Sequence, residues 1–263
     1  MYRFFSRFFL PLVLLFGMSG LFGSGLRAQG AYGLKRAEFD VHVGPSIPVG
    51  SFGKAAFSGY SQSDDKNLPY HGAKVGVDYG LSFGYYISPN WGVMLLFNGH
   101  SNKMKVDEPF SFHRLDWNWQ TEKVDKWTEF MAMAGATYRA SLTDWLVFSL
   151  RAHIGYAHLI SPFYRAMVQR QNQDYTFKIN SAAGHSFGYG AGAALKFIVA
   201  PGFHLDVRCD YLGTAPFRFK NVGWECSSYS TISEQTVSVA SGSRQIKESF
   251  QVINVNFGFT AAF

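Results

Sequence analysis

Histidine and carboxylate side chains fall in patterns that suggest a metal site. His42, His100, His153 and His204 are expected on one face of extended segments, together with Asp40, Asp206 and Asp210. Imidazole and carboxylate groups are common ligands of zinc and related ions. However, the chain contains no close pair such as His-x-x-x-His, and histidines beside carboxylates are ordinary members of polar networks. We therefore expect no metal ion and no other cofactor.

Serine, histidine and glycine residues offer two further kinds of chemistry. His158 lies close to Ser161, and His100 precedes Ser101, but a serine nucleophile needs an oriented base and neither pair carries a triad signature. Gly188, Gly190 and Gly192 recur at every second position and no helix is predicted after them, whereas a phosphate-binding loop requires a strand, a turn and a helix. We interpret these glycines as small residues along one face of a strand, and we expect the protein not to be an enzyme.

The elements that carry these residues alternate between apolar and polar positions. Charged residues make up only 16% of the chain and aromatic residues 17%, and there are 27 glycines. Side chains of a strand point alternately to its two faces, so this pattern predicts strands with one apolar face. About eight such segments occur, at residues 38–47, 73–88, 91–100, 128–141, 145–156, 186–199, 203–212 and 248–263.

The connections between these segments are alternately long and short. With an even number of strands, every short turn falls on the side that holds both termini. Each strand is also long enough to cross a bilayer, which takes about 9–11 tilted residues. The sequence thus predicts an all-β protein, a closed antiparallel up-and-down transmembrane β-barrel of about eight strands, with long outer loops and short periplasmic turns.

The non-apolar face of the strands indicates which side faces lipid. It is rich in Gly, Ala and Ser, which suit the crowded interior of a small barrel. It also carries charges of both signs, which can pair with one another around one axis. A soluble lipocalin-like barrel, with its apolar face inside, is the alternative. We predict a lumenal charge network of Glu38, Asp40, Lys74, Asp78, Glu129, Arg139, Arg151, Lys196, Asp206, Arg208 and Asp210. We predict interface aromatics at Trp91, Tyr85, Tyr138 and Phe203.

The N-terminus has the features of an export signal. Arg3 and Arg7 precede a mostly apolar stretch, and Leu26-Arg27-Ala28 offers a cleavage site. Cleavage there would remove three arginines and lower the formal net charge from +6 to +3, so the basicity is weak evidence for nucleic-acid binding. We predict a signal peptide at residues 1–28, a short segment at 29–36 and the barrel at 37–263, and a signal-anchor helix is the alternative. Cys209 and Cys226 leave a disulfide open.

The chain resembles the small outer-membrane β-barrel proteins of Gram-negative bacteria, of the OmpA-type transmembrane domain. The resemblance covers about residues 37–263 and is most specific in the closing stretch 257–263 (FGFTAAF) and in 43–52 (VGPSIPVGSF). It implies that Phe257, Phe259 and Phe263 belong to a signal for the barrel-assembly machinery. It does not include the peptidoglycan-binding domain that some members carry after the barrel, so wall anchoring is not expected.

These patterns favour a structural or interaction role in the outer membrane, with a lumen filled by side chains. The expected partners are outer-membrane lipids and lipopolysaccharide, the assembly machinery and an envelope protein, but not nucleic acid. The loop at 101–127 is the best candidate surface, and the alternative is that it is only solvated strand ends. It contains Lys103, Lys105, Arg114, Lys123, Lys126, Phe110, Phe112, Trp117, Trp119 and Trp127. A small-solute channel and an enzyme acting on lipid A or phospholipids remain alternative functions.

Overall fold

The computed structural model describes residues 35–54, 72–105, 120–170, 173–230 and 232–263. The predicted signal peptide lies outside these residues. The described chain forms one short helix, α1 (Gly50–Gly53), and thirteen strands. The strands are β1 (Ala37–Pro48), β2 (Gly76–Tyr86), β3 (Trp91–Lys103), β4 (Gln120–Val124), β5 (Lys126–Ser141), β6 (Leu146–Ile160), β7 (Tyr164–Arg170), β8 (Gln173–Ile179), β9 (Ala183–Ala200), β10 (Phe203–Thr214), β11 (Phe217–Ser230), β12 (Gln235–Glu248) and β13 (Gln251–Ala262).

Eight of these strands close into an antiparallel barrel, in the order β1-β13-β10-β9-β6-β5-β3-β2. The predicted closed barrel of eight strands is therefore confirmed. The last strand pairs with the first, with Glu38 opposite Ala262 and Val41 opposite Phe259. Closure leaves the barrel without an unpaired edge. Among the described residues no helix is long and apolar enough to span a membrane.

The two ends of the barrel differ in their connections. Short turns join β2 to β3, β5 to β6 and β9 to β10, and they lie at the end where β1 begins and β13 finishes. We call this the termini end, and we call the opposite end, where the long connections lie, the loop end. Gly202 occupies the last short turn with a positive φ of 83°, a conformation that glycine adopts without strain.

The long connections contain a second sheet that the sequence did not predict. The segments 101–126, 157–183 and 215–247 were expected to be loops or strand extensions. Instead they contribute a five-stranded antiparallel sheet in the order β12-β11-β8-β7-β4, which we call the surface sheet. Its three inner strands bury one face, with residues such as Ala166, Phe177 and Phe219. Its two edge strands, β4 and β12, are largely exposed.

One apolar core joins the surface sheet to the loop end of the barrel. It includes Phe52 of α1, Trp127 of β5, Leu159 of β6, Phe219 of β11 and Phe250 before β13, all at most 1% exposed. We call these five residues and their apolar neighbours the mouth core. Because members of the mouth core come from both the barrel and the surface sheet, the two parts pack as one body.

Candidate functional site

At the termini end, the lumen is closed by ion pairs around Glu38. Arg139 donates to Glu38 Oε1 at 2.9 Å, and Lys196 donates to Glu38 Oε2. The guanidinium of Arg139 also lies over the ring of Tyr86, 3.5 Å from its centroid, and Arg139 Nε donates to the carbonyl of Pro89 at 3.0 Å. These side chains are buried, so each charge is balanced by a partner instead of by water.

The next layer of the lumen is built around Arg208. Its guanidinium donates to Asp40 Oδ2 and to Asp206 Oδ1, the latter at 2.9 Å and 2.7 Å from two nitrogens. Thr260 donates to Asp206 Oδ2 at 2.9 Å, and the Nδ1 atom of His42 lies 3.0 Å from Asp40 Oδ1. One cation therefore serves two buried carboxylates, and its loss would leave both without their charge partner.

A third group of polar side chains lies further towards the loop end. His100 Nε2 lies 3.0 Å from Asp78 Oδ1, and His100 Nδ1 lies 3.0 Å from Glu129 Oε2, a close contact that lacks hydrogen-bond alignment. Arg151 donates to both oxygens of Asp210, at 2.6 Å and 2.7 Å. All ten predicted network residues other than Lys74 thus lie in paired clusters inside the barrel. They are Glu38, Asp40, Asp78, Glu129, Arg139, Arg151, Lys196, Asp206, Arg208 and Asp210.

The prediction for Lys74 was wrong. Lys74 precedes β2 and is exposed at the loop end, where its backbone N–H donates to the carbonyl of Lys103 at 2.7 Å. The alternation of β2 places Gly76 and Asp78 on the lumenal face, but it does not extend the closed part of the barrel as far as Lys74. The physical reason is that the lumen is filled at this level by mouth-core residues such as Phe52.

Glycines on the lumenal face make room for the charged side chains. A Cβ atom added at Gly192 would collide with the carboxylate of Asp210, and one added at Gly258 would collide with that of Asp206. Gly188 and Gly190 line the same face of β9. The interpretation of these glycines as small lining residues therefore fits their surroundings, since the strand has no following helix to form a phosphate loop.

At the loop end, the lumen is closed by aromatic packing. The ring of Phe250 lies 5.0 Å from that of His100 and 4.8 Å from that of Phe52. Phe52 contacts Trp127 at 5.6 Å, and Trp127 contacts Phe219 of the surface sheet at 6.5 Å. These contacts form a continuous series from the lumenal network to the surface sheet. A Cβ at Gly50, which has a positive φ of 59°, would collide with Gln251, so this glycine lets the chain turn Phe52 into the mouth.

The outward face of the barrel is apolar and bears aromatic residues at two levels. At the termini end, the rings of Trp91 and Tyr138 lie 5.0 Å apart. Phe203 lies 5.7 Å from Phe259 there, and Tyr85 is exposed. All four predicted interface aromatics thus face outward at this end, Tyr138 being half-buried. The sequence did not single out the second level, nearer the loop end, formed by Tyr79, Tyr156, Phe187, Tyr189 and Tyr211.

The closing strand turns its phenylalanines outward. Phe257, Phe259 and Phe263 are 65%, 41% and 46% exposed, and the alternate residues of β13 are buried in the lumen. Their role as an assembly signal stays a prediction.

Neither predicted serine–histidine neighbour forms a catalytic pair. Ser161 Oγ accepts a hydrogen bond from the backbone N–H of Ala182 at 2.8 Å, while His158 contacts His185. His100 is fully buried between two carboxylates, and Ser101 occupies the opposite face of β3.

The two cysteines are not bonded to each other. Both are free: Cys209 faces outward on β10, whereas Cys226 is buried in the surface sheet. Burial, together with the charge of Glu225, raises the pKa of the Cys226 thiol to about 11.

The predicted surface at 101–127 is only partly described. Arg114, Phe110, Phe112, Trp117 and Trp119 lie outside the described residues. Trp127 is not at the surface, because it is buried in the mouth core. Lys105 donates to the carbonyl of Gly53 at 2.6 Å and so holds α1 in place. Lys103 and Lys126 are exposed and lie directly opposite each other on β3 and β5, and Lys123 of β4 lies over the ring of Phe163.

The edge strand β12 is an exposed part of the surface sheet. Among the residues that the structure describes, it pairs with β11 on one side only. Its first half, Gln235 to Ser243, contains no charged residue and no proline, and Val237 and Val239 are 58% and 48% exposed. Charges, proline and bulges are the usual means of blocking an edge against further pairing. This stretch has a bulge at Val239, between the paired residues Ser238 and Ala240, but it has neither of the other two features. The outer backbone groups on either side of the bulge therefore face outward, where another extended chain could pair with them.

One comparison with known proteins identifies a family. A family model described as the outer membrane protein beta-barrel domain matches residues 20–244. No curated protein sequence matches the chain.

Solved structures of similar proteins include OprG from Pseudomonas aeruginosa, which is 14% identical, with a TM-score of 0.43 and coverage of 89% of this chain and 100% of that one. Neisserial surface protein A is 13% identical, with a TM-score of 0.43 and coverage of 86% and 97%. Ail, the attachment invasion locus protein of Yersinia pestis, is 15% identical, with a TM-score of 0.38 and coverage of 86% and 98%.

Proposed function

Because this chain belongs to the outer membrane protein β-barrel domain family, we propose that it is a sealed, non-enzymatic barrel of the outer membrane that holds a rigid sheet at the cell surface for binding. The observation that carries this proposal is the mouth core. In outer-membrane barrels the short turns face the periplasm and the long connections face outward. The surface sheet of this protein would then stand outside the cell, fixed to the barrel by shared apolar packing.

The filled lumen supports a structural role over transport. Ion pairs close it at the termini end, and aromatic residues such as Phe52 and Phe250 close it at the loop end. Small barrels of eight strands have interiors just wide enough for side chains to fill. Purified protein in a planar bilayer should therefore give no steady conductance, and a stable open current would favour the channel instead.

The exposed edge of β12 supports a protein partner that binds by strand addition. Such a partner would gain main-chain hydrogen bonds from the edge and apolar contacts with the exposed side chains of Val237 and Val239. A photo-activated cross-linker placed at Val239 in living cells should capture a protein of defined mass. The matched control places it at Leu205, which is 50% exposed on the lipid-facing side of β10. Equal adducts at the two positions, or none at Val239, would argue against an envelope partner at this edge.

A pair of lysines supports contact with lipopolysaccharide. Lys103 and Lys126 lie directly opposite each other at the loop end. Like charges in this arrangement repel, and a phosphate group between them would relieve the repulsion. The double variant Lys103→Gln, Lys126→Gln should copurify with less lipopolysaccharide than the native protein. An unchanged amount of copurified lipopolysaccharide would show that the two lysines do not bind it. A change in the chemical structure of lipid A would instead favour the alternative function, an enzyme that acts on lipid A.

A further inference from the structure

Three side chains with nitrogen or oxygen donors meet on the outward side of β6 and β9. His158 and His185 are direct cross-strand partners. Their Nδ1 atoms lie 3.0 Å apart, and their rings stack with centroids separated by 4.8 Å. The hydroxyl of Tyr156 is hydrogen-bonded to the same Nδ1 atom of His185, and the two rings are nearly parallel at 28°. The Nδ1 atom of His158 and the hydroxyl of Tyr156 therefore both lie against the Nδ1 atom of His185.

This arrangement places two polar atoms against a single ring nitrogen. The Nδ1 atom of His185 has one in-plane position, for a proton or a lone pair, and both His158 Nδ1 and the Tyr156 hydroxyl compete for a hydrogen bond there. A metal ion could take the place of a proton here and bind the lone pairs of both imidazoles. In a tetrahedral site with bonds of about 2.0–2.1 Å, two ligand nitrogens lie roughly 3.3 Å apart, close to the spacing found here.

We propose that His158, His185 and Tyr156 form a binding site for a divalent transition-metal ion of the zinc and copper class. Imidazole ligands suit these ions, and the oxygen of Tyr156 supplies a third donor on the same side. Water would occupy the remaining positions, because the three residues come from one exposed surface and Tyr156 is 50% exposed. This site goes beyond surface display, and it does not depend on what binds β12.

The position of the site places it within reach of ions outside the cell. From Leu146 at the termini end of β6 to Tyr156, the strand rises about 33 Å, or about 25 Å along the axis at a tilt of roughly 40°. The apolar band of outer-membrane barrels is about 25 Å tall. Tyr156 thus lies at the outer border of that band, and His158 lies one step above it.

The site also lies where two barrel strands lead into the surface sheet. Shortly beyond His158, β6 ends at Ile160 and the chain continues into β7. Shortly before His185, the chain leaves β8 and enters β9. A metal ion bound here would join these two strands at the base of the surface sheet. Among the described residues, no group of three or more His, Cys, Asp and Glu could hold a metal, so this site depends on the tyrosine as its third donor.

The proposal can be tested by titrating the folded protein with Zn²⁺ in detergent micelles. The protein should carry no histidine tag and should first be treated with a chelator. Replacing His71 and His113 by alanine in the background excludes histidine ligands outside the described residues. We expect the native protein to bind one Zn²⁺ per chain. His158→Ala and His185→Ala should each weaken the affinity at least about tenfold, because replacing even a residue that only supports a metal ligand has an effect of this size. Tyr156→Phe should weaken binding less, because both imidazoles remain.

Electron paramagnetic resonance of bound Cu²⁺ provides a second readout. The native site should give splitting from two equivalent imidazole nitrogens, and each single histidine variant should give splitting from one. Heat-modifiable gel mobility verifies that each variant is folded. The proposal is overturned by absence of stoichiometric Zn²⁺ binding to the native protein, or by a His158→Ala, His185→Ala double variant that binds Zn²⁺ as tightly as the native protein.

Discussion

The two halves of the barrel interior are filled by opposite kinds of side chain. Towards the termini end, the lumen contains carboxylates and cations such as Asp40, Asp206 and Arg208, all of them contributed by strands of the barrel. At the loop end, it contains aromatic and aliphatic residues, and many of them, such as Phe52 and Phe219, come from connections between the barrel strands.

This difference separates two ways of closing a small barrel. A charge network demands that every member keep its partner, because a buried charge left alone is costly. Apolar packing has no such pairing. When an apolar side chain is removed, the loss of stability depends on how far the surrounding residues move in to fill the cavity. The charged half should therefore respond to loss of one residue by losing stability throughout the barrel, whereas the apolar half should respond mainly by loosening the surface sheet.

The largest effect is expected from replacing the central cation of the charged half. Arg208→Met leaves Asp40 and Asp206 buried without their charge partner, and removal of one member of such a cluster costs about 3–5 kcal/mol. The measurement is the free energy of unfolding in urea, with the protein in lipid vesicles. As a control, the triple variant with Asp40→Asn and Asp206→Asn should recover much of the loss. A triple variant as unstable as Arg208→Met would contradict the charge explanation.

A somewhat smaller effect is expected in the apolar half. Phe219→Ala removes a fully buried ring that contacts Trp127 and Phe217, and the cavity should cost about 3 kcal/mol. We expect the surface sheet to become sensitive to protease while the barrel keeps its heat-modifiable mobility. Val237→Ala, an exposed change on β12, serves as the control and should leave the sheet resistant. Loss of the barrel together with the sheet would show that the two halves do not respond separately.

The third prediction concerns the thiol inside the surface sheet. Burial raises the pKa of Cys226 from 9.0 to about 11, so at pH 8 the thiolate is about 100-fold scarcer, equivalent to about 2.7 kcal/mol. In a Cys209→Ser background, N-ethylmaleimide should react with Cys226 of the folded protein at least about 100-fold more slowly than with Cys226 of the urea-unfolded chain. Since the thiolate is the reactive form, the rate should rise about tenfold for each pH unit from 8 to 10. A rate equal to that of the unfolded chain would show that the sheet is open at Cys226.

The sequence predicted the barrel much better than the sheet above it. Strict alternation across long strands predicted which residues of the barrel face the lumen and which face outward. The resemblance to outer-membrane barrels is confirmed. The surface sheet also alternates, as in Tyr164, Ala166 and Val168, but its strands are short and lie in segments rich in polar residues. Their burial depends on a mouth core assembled from distant parts of the chain, which local periodicity does not reveal.

The same limit applied to individual residues. The cation and carboxylate partners of the lumen could be assigned to a face but not to each other, because pairing depends on the register of neighbouring strands. His158 and His185 are separated by 27 positions in the sequence and become partners only through the pairing of β6 with β9. Lys74 had the correct alternation for a lumenal residue, yet it lies beyond the level at which Phe52 fills the mouth.

The smallest effect is expected from breaking an ion pair at the surface that, like the Arg208 cluster, joins an arginine to a carboxylate. Arg165 Nε lies 2.7 Å from Glu122 Oε2 between β7 and β4, with both side chains more than a third exposed and no hydrogen-bond alignment at Arg165 Nε. Arg165→Met should cost less than about 1 kcal/mol, since exposed pairs are weak. The difference from the native protein should shrink further in about 1 M salt, where charges are screened within about 3 Å. A loss comparable to that of Arg208→Met, measured by the same urea unfolding, would mean that burial does not explain the strength of the lumenal network.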